Sequence, residues 1–160
     1  MPSNENQNFS FMKIALNEAK KNLKYGDVPI GAIIVHNGKI IGRGHNKVEK
    51  KGNSIQHAEI IAINSAIKKY GHKHLLDCEM YVTLEPCSMC AGAIVLSRIK
   101  KVYFATFDKK AGACGSIINI IQNDELNHRC ELEFGIMEKE SSELLKNFFK
   151  EIRLKKKIGS

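Results

Sequence analysis

Pro86-Cys87-Ser88-Met89-Cys90, read together with His57-Ala58-Glu59, decides how this chain folds. Two cysteines three residues apart, just after a proline, share one face of a helix's first turn. The positive end of the helix dipole there favours thiolates, the form that binds metal. His57 adds a third ligand, and Glu59 places a carboxylate close beside it. Three protein ligands leave a zinc ion one open position, the pattern of a catalytic rather than a structural site. A carboxylate that need not be a ligand is then free to move protons.

Outward from this motif the chain reads as a frame for it. Met80 to Leu84 is a short apolar strand, Ser88 to Ser97 a helix rich in Ala, Ile and Val, and Val102 to Phe107 the next strand. Upstream, Ile55 to Tyr70 reads as a helix. Its Ile60, Ile61, Ala62, Ile63, Ala66 and Ile67 leave almost no polar face, so it is expected in the buried middle of the domain. Ile30 to Val35 and Lys39 to Gly44 are strands joined by the hairpin signal Asn37-Gly38. Phe9, Met12, Leu16, Ala19 and Leu23 recur at helical spacing and predict a helix from 9 to 25, ended by Gly26-Asp27-Val28-Pro29. Residues 45–54 read as loop.

Beyond the motif, Lys109 to Ser116 is a glycine-containing loop and 117–121 a short helix. Glu131 to Phe134 is a last strand, and 138–157 a long helix with Leu144, Leu145, Phe148, Phe149 and Ile152 along one side. Alternating strands and helices imply an α/β domain with parallel pairing through right-handed crossovers. His57 and Glu59 fall at one helix start and Cys87 and Cys90 at the next. Both starts lie beside strand ends, where open α/β sheets place their ligand crevices.

At 160 residues, with 43% hydrophobic and 26% charged residues, one soluble globular domain is expected, with residues 1–8 as a disordered N-terminus. Five cysteines and a start without a basic segment and apolar run argue against a disulfide framework and a secretory signal. No apolar run approaches the ~18 residues of a membrane span. A cytoplasmic protein without membrane contact is expected, in which Cys-x-x-Cys means metal or redox chemistry. The net charge of +8 points to a polyanionic partner, weakly on its own.

The signature His-x-Glu … Pro-Cys-x-x-Cys is that of zinc deaminases, of which tRNA-acting adenine deaminases are a known instance. The chain resembles the bacterial tRNA-specific adenosine deaminases of the cytidine/deoxycytidylate deaminase-like zinc family over nearly its whole length. The resemblance is carried by Val28-Pro29-Ile30-Gly31-Ala32, Gly44-His45-Asn46, His57-Ala58-Glu59-Ile60 and the run Tyr81 to Ala93. Ser97-Arg98-Ile99, Gly112 to Ser116, Asn127-His128-Arg129 and Phe148-Phe149 add to it.

The resemblance implies a three-layer α/β/α cytidine-deaminase-like fold with a mixed sheet of about five strands. It also implies one Zn2+ per subunit on His57, Cys87 and Cys90, and Glu59 as the catalytic proton carrier. The implied reaction converts adenosine to inosine at the first anticodon position of a tRNA. Asn46, Ala58, Glu85 and Pro86 would bind the flipped base, and Asp108, Lys110, Phe149 and Arg153 the anticodon loop. A homodimer is implied as well. The terminal Lys146, Lys150, Arg153, Lys155, Lys156 and Lys157 would attract phosphates.

Rival readings share parts of this pattern. Cys78, Cys114 or Cys130 as a fourth ligand would make the zinc structural, leaving Glu59 without a role. A redox Cys-x-x-Cys does not explain His57. A guanine deaminase acting on the free base would share the zinc residues, but has no need of a strongly basic chain. A non-catalytic RNA-binding module with a structural zinc has no reason to place Glu59 beside a ligand. Phe148 is expected in the core, and the three remaining cysteines read as small buried residues. Asn53-Ser54-Ile55-Gln56 departs from the proline-containing segment usual in the family, and Thr106 stands where a smaller residue is usual.

Overall fold

The computed structural model describes residues 3–159. A mixed five-stranded sheet forms the middle layer: β1 (Gly31–His36), β2 (Lys39–His45), β3 (Cys78–Leu84), β4 (Lys101–Thr106) and β5 (Glu131–Phe134), in the order β2-β1-β3-β4-β5. β1 is antiparallel to both β2 and β3, while β3, β4 and β5 run parallel. The helices are α1 (Asn4–Lys20), α2 (Val48–Lys51), α3 (Ala58–Tyr70), α4 (Ser88–Leu96) and α5 (Glu138–Ile158), with a 3-10 turn at Lys21–Lys24.

Strand alternation divides the core into two layers. Ala32, Ile34, Met80, Val82, Val102 and Phe104 join Ala58, Ala62 and Ala66 of α3 and Ala91 and Ile94 of α4 on one face. Ile33, Val35, Tyr81, Tyr103 and Ala105 pack with Met12 and Ala15 of α1 on the other, where Ile136 and Met137 also lie just ahead of α5. Within α5, Ser141 is buried, its hydroxyl donating to the Thr83 carbonyl at 2.6 Å. The arrangement is three-layered, α/β/α.

Close contact fixes α3 against the sheet. A β-carbon at Gly44 would collide with the Ala58 carbonyl oxygen, and one at Gly42 would lie 2.5 Å from that of Ala62. Only glycine lets the helix backbone sit this near the strand.

Several expectations are corrected. α1 starts at Asn4, capped by the Ser3 hydroxyl accepting from the Asn6 amide, so residues 4–8 are helical rather than disordered. Residues 1 and 2 lie outside the described residues. The 45–54 segment holds the short helix α2. Residues 117–121 form no helix: Ile117 N donates to Gly112 O and Ile120 N to Ala113 O, giving a tight loop with a bridge between Cys114 and Asn119. α3 is not wholly buried either, because Asn64, Ser65, Lys68 and Lys69 form an exposed outer face. Nor does the β2–α3–β3 connection end beside its own strand, since β1 lies between β2 and β3.

Candidate active site

Two helix N-termini converge on one spot. His57 caps α3 at its N-terminus, while Cys87 caps α4 and Cys90 lies in its first turn. The Nδ1 of His57 stands 3.5 Å from Cys87 Sγ and 3.6 Å from Cys90 Sγ. One donor atom from each of the three residues falls within 4.8 Å of the others. Among the described residues no fourth ligand joins this group. Cys78, Cys114 and Cys130 are buried elsewhere as free thiols, and burial pushes the pKa of each upward.

The electrostatics of the pocket fit a thiolate–imidazole ligand set. A hydrogen bond from Cys90, then one from His57, pulls the Cys87 thiol down to about 4, while the Cys90 thiol is pushed up in turn. The Cys87 contact raises His57. Glu59 is buried, and burial lifts its carboxyl to about 7, against the opposing pull of hydrogen bonding and of His57. One imidazole nitrogen and two sulfurs are the donors that soft-to-borderline metals choose, and three of them leave a position open.

The cleft beside His57 holds about 840 Å³ and is lined by two walls. Asp27, Val28, Asn46, Val48 and Glu49 belong to the first. Thr106, Phe107, Asp108 and Lys110 form the second, together with Leu145, Lys146 and Phe149 of α5. A smaller adjoining pocket of about 330 Å³ brings Arg153 next to Lys110, Lys146 and Phe149. Phe148 is buried as expected, whereas Phe149 is 43% exposed.

Asn46 is 5% exposed and its side-chain amide is held: Oδ1 accepts from Val48 N at 3.2 Å and Nδ2 donates to Val28 O at 3.4 Å. Behind it, Asn22 donates to the carbonyls of Val28 and Ile30 and contacts His45 Nδ1 at 2.5 Å. Ala58 and Pro86 are buried, each next in the chain to a member of the ligand cluster, His57 and Cys87. The Glu85 carboxylate is turned into the protein, where it accepts from Asp108 N, Cys114 N and Ser116 N at 3.0–3.1 Å and from the Ser116 hydroxyl. That clasp holds the 108–116 loop, and a β-carbon at Gly112 would strike the same carboxylate. Asp108 in turn caps its own loop, accepting from Lys110 N and Ala111 N.

The missing proline before His57 is replaced by a side chain. Asn53 Oδ1 accepts from Ile55 N at 3.1 Å, and Lys47 N donates to Gln56 O at 2.9 Å, which ties this segment to the one carrying Asn46. Asp27 was legible only as part of a helix stop. Its carboxylate is 1% exposed and accepts from Glu49 N and Lys50 N, and an aspartate after glycine carries no signal of that distant partner.

A mixed five-stranded sheet with a His/Cys/Cys cluster and a buried glutamate at two adjoining helix starts defines a cytidine-deaminase-like deaminase. The profile of the MafB19-like deaminase family matches residues 5–153. The tRNA-specific adenosine deaminase of Bacillus subtilis (strain 168) is 48% identical over 149 residues, 93% of this chain and 92% of the relative. That of Aquifex aeolicus (strain VF5) is 50% identical over 143 residues, 89% of this chain and 94% of the relative. A solved tRNA:A34 deaminase, active in A-to-I editing at the wobble position of transfer RNA, superposes with a TM-score of 0.81. It is 38% identical and covers 85% of this chain and 99% of its own. The chain belongs to the tRNA-specific adenosine deaminase family and is an enzyme.

Proposed function

We propose that this chain converts adenosine to inosine at the first anticodon position of a tRNA, as a cytoplasmic homodimer with one zinc per subunit. The observation that carries the reading is the His57/Cys87/Cys90 cluster with buried Glu59, whose His57 opens on a cleft also lined by Lys110, Lys146 and Phe149. Zinc held by these three side chains would supply Lewis-acid activation of a water molecule. Glu59, lifted by burial toward neutral pH, is suited to accept a proton from that water and donate one to N1 of the base. Once the oxygen has bonded to C6, Glu59 takes the remaining proton of that hydroxyl and hands it to the amine, so that the C6–N bond breaks as the oxygen becomes a carbonyl and ammonia leaves. Asn46, its amide oriented by Val28 and Val48, would hold the flipped base.

A single-stranded loop suits such a cleft, since an enzyme acting on a base must take it out of the stack. The apolar outer side of α4 supports the dimer: Met89 and Ala93 are half-buried and Leu96 is 77% exposed. For the membrane, no helix among the described residues is long and apolar enough to cross one.

The test incubates zinc-loaded protein with an anticodon stem-loop bearing a wobble adenosine and, separately, with guanine, using Glu59→Ala as control. Inosine in the stem-loop, absent with the control, is the expected result. Xanthine from guanine with untouched RNA would move the assignment to a base-salvage enzyme on the same site, and no product from either would overturn it.

A further inference from the structure

Beside the cleft residues Asp27 and Glu49 lies an aromatic–cation pair that the chemistry above does not use. Tyr25, 48% exposed, follows the 3-10 turn, and Lys50 of α2 places its Nζ 4.2 Å from the centre of the Tyr25 ring. The two are far apart in sequence and are held together by one buried group. The Asp27 carboxylate accepts from Glu49 N at 2.5 Å and Lys50 N at 3.1 Å, locking α2 to the turn that carries Tyr25. Asp27, Val28, Val48 and Glu49 all line the cleft beside Asn46, and the pair adjoins them in the chain, Tyr25 two residues before Asp27 and Lys50 next to Glu49.

An exposed aromatic ring beside a cation is the unit by which proteins hold unstacked nucleotides. The ring stacks on a base for roughly 1–3 kcal/mol, and the cation attracts the backbone. Taking the reactive base out of a single-stranded loop exposes the faces of the nucleotides on both sides of it. Phe149 offers an aromatic surface in the cleft, and the exposed Tyr25 offers a second beside the cleft residue Asp27. Glu49, exposed on the same turn, disfavours a phosphate close to the cleft. A base stacked on the ring face that Lys50 does not cover would keep its phosphate on the outer side, within reach of the Lys50 ammonium.

We propose that Tyr25 and Lys50 form a stacking shelf for a nucleotide flanking the reactive adenosine, with Asp27 as the positioning residue that holds the shelf to the cleft. The shelf rests on the RNA reading given above, and it adds a binding surface on the wall where that reading places none outside the pocket itself.

The experiment uses zinc-loaded Glu59→Ala protein, which binds without turnover, and stem-loops carrying 2-aminopurine in turn at each nucleotide flanking the wobble adenosine. Stacking quenches the probe. One flanking position is expected to be quenched on binding, with Tyr25→Ala in the Glu59→Ala background abolishing that quench and weakening affinity about 5- to 100-fold. Tyr25→Phe keeps both. Lys50→Ala weakens binding a few-fold with a shallower salt dependence. Asp27→Ala loses the quench, while Asp27→Asn, which retains one acceptor oxygen, keeps part of it. If the Glu59→Ala parent binds the stem-loop and Tyr25→Ala matches it in quench and affinity, the shelf is refuted while the RNA reading stands. If the parent binds no stem-loop, the RNA reading fails and the shelf with it.

Discussion

α3 and α5 both border the cleft, yet the sequence builds them in opposite ways. α3 has Ala58, Ala62 and Ala66 fully buried, lies on Gly42 and Gly44, and presents His57 and Glu59 from its first turn. α5 is longer, its described buried residues are Ser141 and Phe148 alone, and it ends in Lys155, Lys156 and Lys157. On α3 small side chains let backbone touch backbone, so the reacting groups are placed by main chain that has nowhere else to go. On α5 the long exposed side chains Lys146, Phe149 and Arg153 do the facing. Chemistry needs placement within fractions of an ångström, whereas recognition of a flexible anionic partner tolerates adaptable side chains.

The sharpest way to break this contrast is Gly44→Ala. The added methyl meets the Ala58 carbonyl oxygen and lies 2.8 Å from the Ala62 nitrogen, so the start of α3 must move. Overpacking of this kind costs about 1–3 kcal/mol, a fall of several degrees in melting temperature. Deaminase activity is expected to drop about 100-fold because His57 and Glu59 move with the helix. Thermal melting and single-turnover assay together check both effects. A lowered melting temperature with unchanged activity would mean that the strand, not the helix, yields.

A smaller effect is expected at Glu85→Gln. The amide offers a donor where the carboxylate received only donors, loosening the 108–116 loop while leaving the ligand cluster in place. Hydrogen bonds to a charged group contribute about 1.5–3 kcal/mol, so a loss of roughly 10- to 100-fold in kcat/KM with normal zinc content is predicted. Loss of zinc instead would show that the clasp supports the ligands and not the loop.

The smallest effects belong to α5. Lys146→Ala and Arg153→Ala are each expected to raise KM for the stem-loop a few-fold, with kcat and melting temperature unchanged. The slope of log affinity against log salt should become shallower by about 0.7 for each phosphate that is no longer neutralised. A fall in kcat would show that α5 takes part in the chemistry.

The parts of the molecule legible in the sequence are those governed by local rules. The Asn37-Gly38 hairpin, the apolar strand before Pro86 and the two helix starts follow from turn chemistry and periodicity, and they place the ligand cluster. What was not legible depends on partners distant in the chain. The apolar spacing that begins at Phe9 hid five polar helical residues held by the Ser3 cap. The isoleucines of α3 outweighed its polar outer face, although Asn64, Ser65, Lys68 and Lys69 were in plain view. The insertion of β1 between β2 and β3 is a matter of strand pairing that periodicity does not encode. Glu85 and Asp27 are buried carboxylates whose roles are defined by backbone amides of distant segments.

The glycine seats under α3 have a consequence for motion. A helix whose backbone touches the strand beneath it has no gap into which to slide or tilt, so α3 and the ends it carries behave as a fixed anvil. Any adjustment as a substrate loop settles must come from the far half of α5, beyond the buried Phe148, and from the turn at 108–111. Amides of α3 such as those of Ala62 and Ala66 should therefore exchange with solvent only on global unfolding, while those beyond Phe148 exchange early and slow down when RNA is bound.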